Sequence, residues 1–440
     1  MEDIVDVIVI GAGLSGISCA IELKKAGLEV IVLERGDFPG SKNSFGGILF
    51  TTMLKDIVPD FRKDAPLERA VAYKDLCYMT DCSSAALQLY SDRWASGDTS
   101  DSFTVYRARF DRWFAEKAAE MGVDIYEGIV VQDLIRENGA VKGVRVRGEK
   151  SGEFEEFRAN AVVIAEGSNS LLTERAGLRE GKSLMVPKNR VSAVKEIIEI
   201  GEEEVEKRFG LEPGKGRAVS YFGYPNAYMV GVGFLYTNKS TVSIGLGVLI
   251  DDLASRKEPI YDLLERFKAH PVIRPLLKDG EVREYSTHMI AEDSQKQPVR
   301  VFDDGVMVVG DAAGFVNMSF HMEATNLAML SGIYAAKTIK KAVERKDYSK
   351  NTLYLYKEML EESFLKSDLC ESDHYMELFM SERNFLKRYP EFGLRSMIDF
   401  FTPQNISKKQ IKKQIFRNMR KEIGLFNIAK AMFKARRIIL

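Results

Sequence analysis

The segment from Val5 to Glu34 constrains the fold more than any other part of the chain. An apolar run, Val5 to Ile10, leads into Gly11-Ala12-Gly13-Leu14-Ser15-Gly16. A helical stretch follows, with Ile17, Ala20 and Ile21 on one face, and Gly27 stops it. A second apolar run, Val30 to Leu33, ends at Glu34, 18 residues after Gly16. Strand, glycine turn, helix and strand make a βαβ opening. Each residue type in the turn has a mechanical role. Gly11 permits the tight bend, Gly13 lets a diphosphate approach the backbone, and Gly16 lets helix and strand pack closely. The first helical turn, at Leu14 and Ser15, offers unpaired N–H groups to phosphate oxygens. Glu34 can accept hydrogen bonds from a ribose diol. A dinucleotide-binding domain is therefore expected.

The 440 residues predict about three domains, or two with elaborations. The apolar fraction of 45% and charged fraction of 29% exclude a disordered or low-complexity chain. Four cysteines without C-x-x-C spacing exclude a disulfide scaffold and point to reduced cytosolic thiols. A helix is predicted over Asp111–Met121, then a strand over Val123–Tyr126. A hairpin turns at Asn138-Gly139 between Val130–Arg136 and Val141–Val146, and a buried strand covers Ala161–Ala165. Between about 186 and 282 the pattern changes to strands and turns. The stretch Ala218–Asn238 carries no charge over 21 residues, but it holds Pro225 and three glycines and reads as buried sheet, not a membrane span. Another strand, Val306–Val309, precedes a helix over about Glu323–Lys341, and the pattern from Tyr348 onward is helical. The expected domains are residues 1–70, 100–180 and 283–345 for nucleotide binding, 71–99 and 181–282 for an inserted sheet domain, and 346–440 for a helical C-terminal region.

Two further strand-to-turn junctions select FAD over NAD. In Gly310-Asp311-Ala312-Ala313-Gly314 a carboxylate follows an apolar strand, where it can hold a ribityl hydroxyl. The helix after it can aim its positive end at the flavin pyrimidine, where reduction places negative charge. Ala165-Glu166-Gly167-Ser168-Asn169-Ser170 is the third such junction.

Together these motifs resemble the FAD-dependent glutathione-reductase-2-type superfamily, which includes the geranylgeranyl reductases. More closely, the chain resembles the FixC/EtfC family, related to electron-transfer flavoprotein:quinone oxidoreductase. The resemblance is carried by Glu34-Arg35-Gly36 with Pro39-Gly40-Ser41-Lys42-Asn43, by Gly46-Gly47, and by Tyr106-Arg107 with Phe110-Asp111 and Trp113. It continues through Gly233-Phe234-Leu235-Tyr236-Thr237-Asn238, Gly310-Asp311 with Gly314-Phe315-Val316-Asn317, and Asn326-Leu327-Ala328-Met329. It covers about residues 4 to 370. It implies an α/β architecture: a three-layer Rossmann-like FAD-binding domain with an inserted β-sheet substrate domain and a C-terminal helical region. It implies that Arg107 contacts the FAD linker and that Val131 meets the adenine through its backbone. Lys42, Asn43, Ser44, Gly46 and Gly47 would lie near the isoalloxazine, and Glu323, Ala324, Thr325 and Asn326 would present helix-end N–H groups to it. Arg35, Ala165, Glu166, Gly167 and Gly314 join the expected cofactor set. The string His321-Met322-Glu323-Ala324-Thr325 departs from the family's. Larger relatives carry a fused iron–sulfur domain with clustered cysteines, which this chain lacks. The resemblance thus implies a separate ferredoxin-like iron–sulfur subunit, with electron-transfer flavoprotein alpha and beta subunits as donor, a membrane quinone as acceptor, and a complex of the kind associated with electron bifurcation.

The C-terminus carries its own signal. From Gln404 to Leu440 there are eleven Lys or Arg against the single acid Glu422, a local charge of +10, leaving −11 for the rest of a chain whose net charge is −1. Such a balance does not describe a generally basic nucleic-acid binder. Ile411, Ile415, Met419 and Ile423 recur at helical spacing among the basic residues, with Phe416 beside them. A basic amphipathic helix of this kind can lie on anionic lipid, and docking on the acidic body or on a partner subunit is the other reading. Attachment to the inner face of the cell membrane from the cytoplasm is the expected location. His270, His288, His321 and His374 show no metal spacing, so no metal is assigned. His321, just before the flavin-facing helix, is the candidate proton donor to quinone. A geranylgeranyl-type isoprenoid reductase using FAD is the alternative reading, with an aromatic hydroxylase and a flavin-bearing assembly subunit beyond it.

Overall fold

The computed structural model describes residues 4–42, 47–95, 100–148, 152–179, 190–291 and 299–439. The chain forms two compact units. The first comprises Met1–Val71, Asp92–Arg190 and His288–Cys370; the second comprises Ala72–Ser91, Val191–Thr287 and Glu371–Leu440. The helices after residue 346 are thus divided between the units.

The first unit is built on a mainly parallel sheet. Its strand order is Phe302–Asp303, Val306–Val308, Phe154–Ile164, Ile4–Ile10, Val30–Leu33 and Asp124–Tyr126. Ile4–Ile10 lies between Phe154–Ile164 and Val30–Leu33, parallel to both. Sequence order reverses at that strand, and the crevice beyond its carboxyl end is where open α/β sheets bind ligands. Val7, Ile8, Val9, Val30, Val32 and Val162 are all buried, as strands covered on both faces require. The predicted hairpin forms from Ile129–Glu137 and Ala140–Gly148, which joins the sheet antiparallel to Phe154–Ile164.

Several element limits differ from expectation. The first helix, Leu14–Lys25, is buried on nearly every side from Leu14 to Ile21, not along one face. The cause is the helix Thr325–Arg345: a Cβ added at its Gly332 would stand 2.2 Å from the Ser15 carbonyl oxygen. That second helix begins at Thr325, two residues later than predicted, with Ala324 as its N-cap, and it ends at Arg345. The helix predicted from Asp111 starts at Arg107. The strand predicted over Ala161–Ala165 is the end of Phe154–Ile164.

The second unit holds an antiparallel sheet in which Glu281–Ala291, Arg190–Glu199, Thr241–Leu249, Gly231–Thr237 and Lys215–Gly223 follow one another. The uncharged stretch Ala218–Asn238 supplies two of these strands, paired Ala218 to Tyr236 and Tyr221 to Gly233. Val219, Tyr221, Phe234 and Leu235 are buried, so the uncharged stretch is sheet core, beside Thr241–Leu249, every residue of which is buried. Among the described residues no helix is long and apolar enough to cross a membrane. The C-terminal helices of this unit are Arg388–Phe401, Lys408–Glu422 and Leu425–Ile439. Ser407 opens the second of them with a reciprocal cap to Gln410.

Candidate functional site: a dinucleotide cradle in the first unit

Three distant stretches of sequence meet at the carboxyl end of Ile4–Ile10. The glycine turn supplies the first. A Cβ at Gly11 would lie 2.4 Å from the Ala165 carbonyl oxygen, and one at Gly16 would lie 2.0 Å from the Gly11 carbonyl oxygen. Neither position admits a side chain. At Gly13 a Cβ would meet nothing within 4 Å, so the space over the turn is open where a phosphate needs it. The first helical hydrogen bond runs from Ile17 N–H to the Gly13 carbonyl at 2.9 Å, which leaves the helix start facing that space. Glu34 is buried and closes the turn: its carboxylate accepts from Ala12 N–H at 2.9 Å and Gly36 N–H at 2.6 Å.

The second stretch is Ala165–Ser170. Ala165 N–H donates to the Ile10 carbonyl at 2.8 Å, seating the junction on the first strand. The Glu166 carboxylate accepts from Leu172 N–H at 2.8 Å, Thr173 N–H at 2.6 Å and the Thr173 hydroxyl at 2.7 Å. It caps the short helix Leu171–Arg175. Gly167 follows in a left-handed conformation, with φ of 76°.

The third stretch is Gly310–Gly314. Gly310 N–H donates to Ser331 Oγ at 2.9 Å, and a Cβ there would lie 2.6 Å from Ser15 Oγ. Gly314 closes the turn with φ of 79°. Burial pushes the Asp311 carboxyl up from its ordinary range, and the Arg107 charge partly offsets this. A carboxylate short of water gains from hydroxyl donors, as a ribityl chain offers.

Arg107 lies at the first position of its helix and binds Asp111 through Nε at 2.9 Å and Nη2 at 3.0 Å. Burial works against the Arg107 charge, but Asp111 and then Asp311 more than restore it, and its pKa is raised. Gly40, with φ of 93°, packs here too: a Cβ would stand 2.9 Å from the Ala108 carbonyl oxygen. The Pro-Gly turn therefore sits on the helix that carries Arg107.

The remaining expected residues divide. The Gly47 carbonyl accepts from Val105 N–H at 3.0 Å. Thr325 and Asn326 are buried, and their side chains accept from Phe50 N–H at 3.1 Å and Met53 N–H at 3.2 Å. They fasten the segment that follows Gly47. Glu323 and Ala324 precede the helix, so neither contributes an N–H from within it. Val131 pairs with Val146 beside a register shift. Lys42 is exposed, as is His321. Asn43, Ser44 and Gly46 lie outside the described residues. Sequence reasoning missed Asp111, Ser168 and His288; the last two are joined at 3.3 Å across 120 residues.

The open space at Gly13, the free helix start and the half-buried Asp311 fit FAD. Comparison with known proteins agrees. Residues 6–96 and 82–206 match the model of FAD dependent oxidoreductases, and residues 375–440 match the ETF-QO/FixC family C-terminal domain. Protein FixC of Azorhizobium caulinodans is 38% identical over 430 residues, covering 96% of this chain and 97% of the relative. A probable electron transfer flavoprotein-quinone oxidoreductase of Escherichia coli, YdiS, is 35% identical over 98% of this chain and 97% of its own length. Among solved structures, a geranylgeranyl bacteriochlorophyll reductase-like protein from Thermoplasma acidophilum superposes with a TM-score of 0.74, at 22% identity and full coverage of both chains. A flavin-dependent brominase reaches 0.67 at 20% identity, covering 95% of this chain and all of the brominase. These two likenesses establish the fold. With the cradle, the cofactor and near full-length similarity in agreement, the chain is an FAD-dependent oxidoreductase and belongs to the ETF-QO/FixC family.

Proposed function

We propose that this protein takes electrons from an electron-transfer flavoprotein and delivers them to a membrane quinone. The observation that carries the reading is the 35% identity, over nearly the whole of both chains, with a relative named for that reaction. Bound FAD supplies a centre that exchanges single electrons or pairs. The chain's own residues bind and orient it: Gly13 and the start of Leu14–Lys25 receive the diphosphate, Glu34 a ribose, and Asp311 the ribityl chain. Arg107, held by Asp111, keeps a fixed charge nearby. Glu166, engaged with its own helix, supports the junction from behind.

The four cysteines are scattered, at Cys19, Cys77, Cys82 and Cys370, so an iron–sulfur relay is assigned to a separate ferredoxin-like subunit beside the alpha and beta flavoprotein subunits. Such a complex has the composition needed to bifurcate electrons. The C-terminal helices support attachment to anionic lipid on the inner face of the cell membrane. Ile411 and Ile423, at 2% and 6% exposure, face inward, whereas Phe416, Phe426 and Phe433 stand out at 51%, 81% and 63%. The periodic isoleucine stripe is thus packing, and the outward aromatics are the lipid-facing residues. Lys413, Phe416, Arg417, Arg420 and Lys421 line a shallow cavity of about 540 Å³ suited to phosphate headgroups. Exposed His321 is the residue proposed to hand a proton to the quinone.

Anaerobic stopped-flow tests the reading. Mixing the full chain with reduced electron-transfer flavoprotein should reduce its flavin, and a short-chain quinone should then reoxidise it. Flavin that stays oxidised with the flavoprotein, yet drives oxygen uptake with NAD(P)H, would overturn the proposal in favour of a hydroxylase.

A further inference from the structure

The helix Ile260–Ala269 ends at His270, its C-cap, which is 2% exposed. Both ring nitrogens are engaged. Nε2 lies 3.0 Å from the Thr80 carbonyl, which can only accept, so Nε2 carries the ring proton. Nδ1 is then the acceptor, and Val272 N–H donates to it at 3.2 Å. The ring packs against Tyr224, with centroids 5.4 Å apart. One neutral tautomer satisfies both bonds. A second proton would sit on Nδ1 and face the Val272 N–H, donor against donor.

What His270 holds together is the seat of the C-terminal helices, all of it within the second unit. Thr80 opens the turn between the strands Leu67–Met79 and Ser84–Tyr90, and its N–H donates to the Ser83 carbonyl at 2.9 Å. Two residues before Thr80, the Tyr78 hydroxyl donates to the Leu386 and Lys387 carbonyls at 3.4 and 3.2 Å, where the chain enters Arg388–Phe401. The short turn Tyr224–Asn226 leads to Tyr228. The Lys387 ammonium lies 4.5 Å from the centre of the Tyr228 ring, and the Tyr228 hydroxyl donates to Glu391 on the same helix. His270 therefore bonds one half of the seat through Thr80 and packs on the other through Tyr224.

The charges around the ring leave it neutral at pH 7. Asp81, beside Thr80, favours a second proton, but burial is the larger cause and holds the imidazole below its ordinary range. On the helix that His270 caps, Arg266 is paired with Glu258 at 2.7 Å and Lys268 with Glu196 at 2.8 Å. Glu391, across the seat, is bound by Tyr228. We propose that His270 is a proton-sensitive latch on the seat of the C-terminal helices: as the solution is acidified the ring takes a second proton, the Val272 N–H bond breaks, and the turn at 80–83 parts from the end of Ile260–Ala269, loosening the hold on Arg388–Phe401. A histidine whose pKa is lower when latched than when open favours opening as pH falls through the interval between the two values. The inference is independent of what the C-terminal helices attach to and of the electron donor and acceptor.

A nitroxide on Cys82, the exposed cysteine within the turn, reports the latch in the full chain; Cys19 and Cys77 are buried, and Cys370→Ser removes the half-buried thiol. Electron paramagnetic resonance from pH 7.5 to 5.0 should show a growing mobile fraction, the opening constant rising by up to about tenfold for each pH unit below about 6.5 until the latched ring itself titrates. His270→Gln, which can still donate to Thr80 and does not titrate, should give a flat profile. The His270 ring, identified by NMR from the signal that this variant lacks, should titrate below about 6.5. Amide exchange at residues 386–391, corrected for its intrinsic pH dependence, should quicken over the same interval in the wild type alone. Constant label mobility in the wild type, a His270→Gln profile as steep as the wild type, a ring that titrates above its ordinary value, or exchange at 386–391 that ignores the opening of the turn would overturn the proposal.

Discussion

A Cβ added at Gly16, beneath the dinucleotide cradle, would stand 2.0 Å from a carbonyl oxygen, whereas one added at Gly393, in the C-terminal helix Arg388–Phe401, would meet nothing within 4 Å. The two regions encode function differently. In the cradle, backbone meets backbone at Gly11, Gly16 and Gly332, Gly310 meets the Ser15 side chain, and the sequence at all four is dictated by contact. In the C-terminal helices the surface is open, and what matters is the sum of charge and exposed aromatic area, not any one residue. A ligand held by the first is sensitive to single atoms; an attachment made by the second declines gradually as residues are changed.

The sharpest contrast comes from the same substitution in both places. Gly16→Ala should lower stability by about 3 kcal/mol or more and abolish flavin retention, because the turn has nowhere to move. Gly393→Ala, exposed within a helix, should raise stability by about 0.5–1 kcal/mol. Chemical denaturation of both variants checks this, and equal effects would erase the distinction between the regions. Next in size, reversing Lys413, Arg417, Arg420 and Lys421 to Glu should weaken flotation with anionic vesicles by at least about tenfold while leaving flavin content unchanged, at roughly 1 kcal/mol per charge before screening. Unaltered flotation would assign the basic helices to a protein partner. Glu166→Ala should cost about 1–2 kcal/mol through loss of the cap on Leu171–Arg175, read as an earlier unfolding midpoint. Smallest, Glu422→Gln removes the exposed 2.5 Å pair with Arg395 and should change stability by less than about 1 kcal/mol.

What could be read from the sequence follows the same division. The strand Val30–Leu33, the hairpin at Asn138-Gly139 and the glycine turn were legible because their signals are local: apolar runs, turn residues and a fixed glycine spacing. Helix starts were less so. Arg107 and Asp111 are spaced i,i+4, and the pair was visible only to a reading that began the helix at Arg107. The predicted start at Asp111 hid it. The first helix looked one-faced because nothing in its own residues announces the second helix lying on its far side. Thr325 and Asn326 hold backbone groups some 273 to 275 residues away, and Ser168 meets His288 across 120 residues. Such links arise from topology and leave no pattern in a sequence window. In the C-terminal helices the spacing of Ile411, Ile415, Met419 and Ile423 was read correctly as a helix, but periodicity could not say whether that face turns toward lipid or toward protein.

The central claim is that the open space above Gly13 is reserved for the FAD diphosphate. Filling it tests this most directly. Gly13→Val places two methyl groups where no protein atom stands within 4 Å of the Cβ. The account predicts a variant that melts like the wild type but binds FAD at least about a hundredfold more weakly, some 3 kcal/mol. A folded Gly13→Val protein that takes up one FAD per chain with wild-type affinity would contradict it.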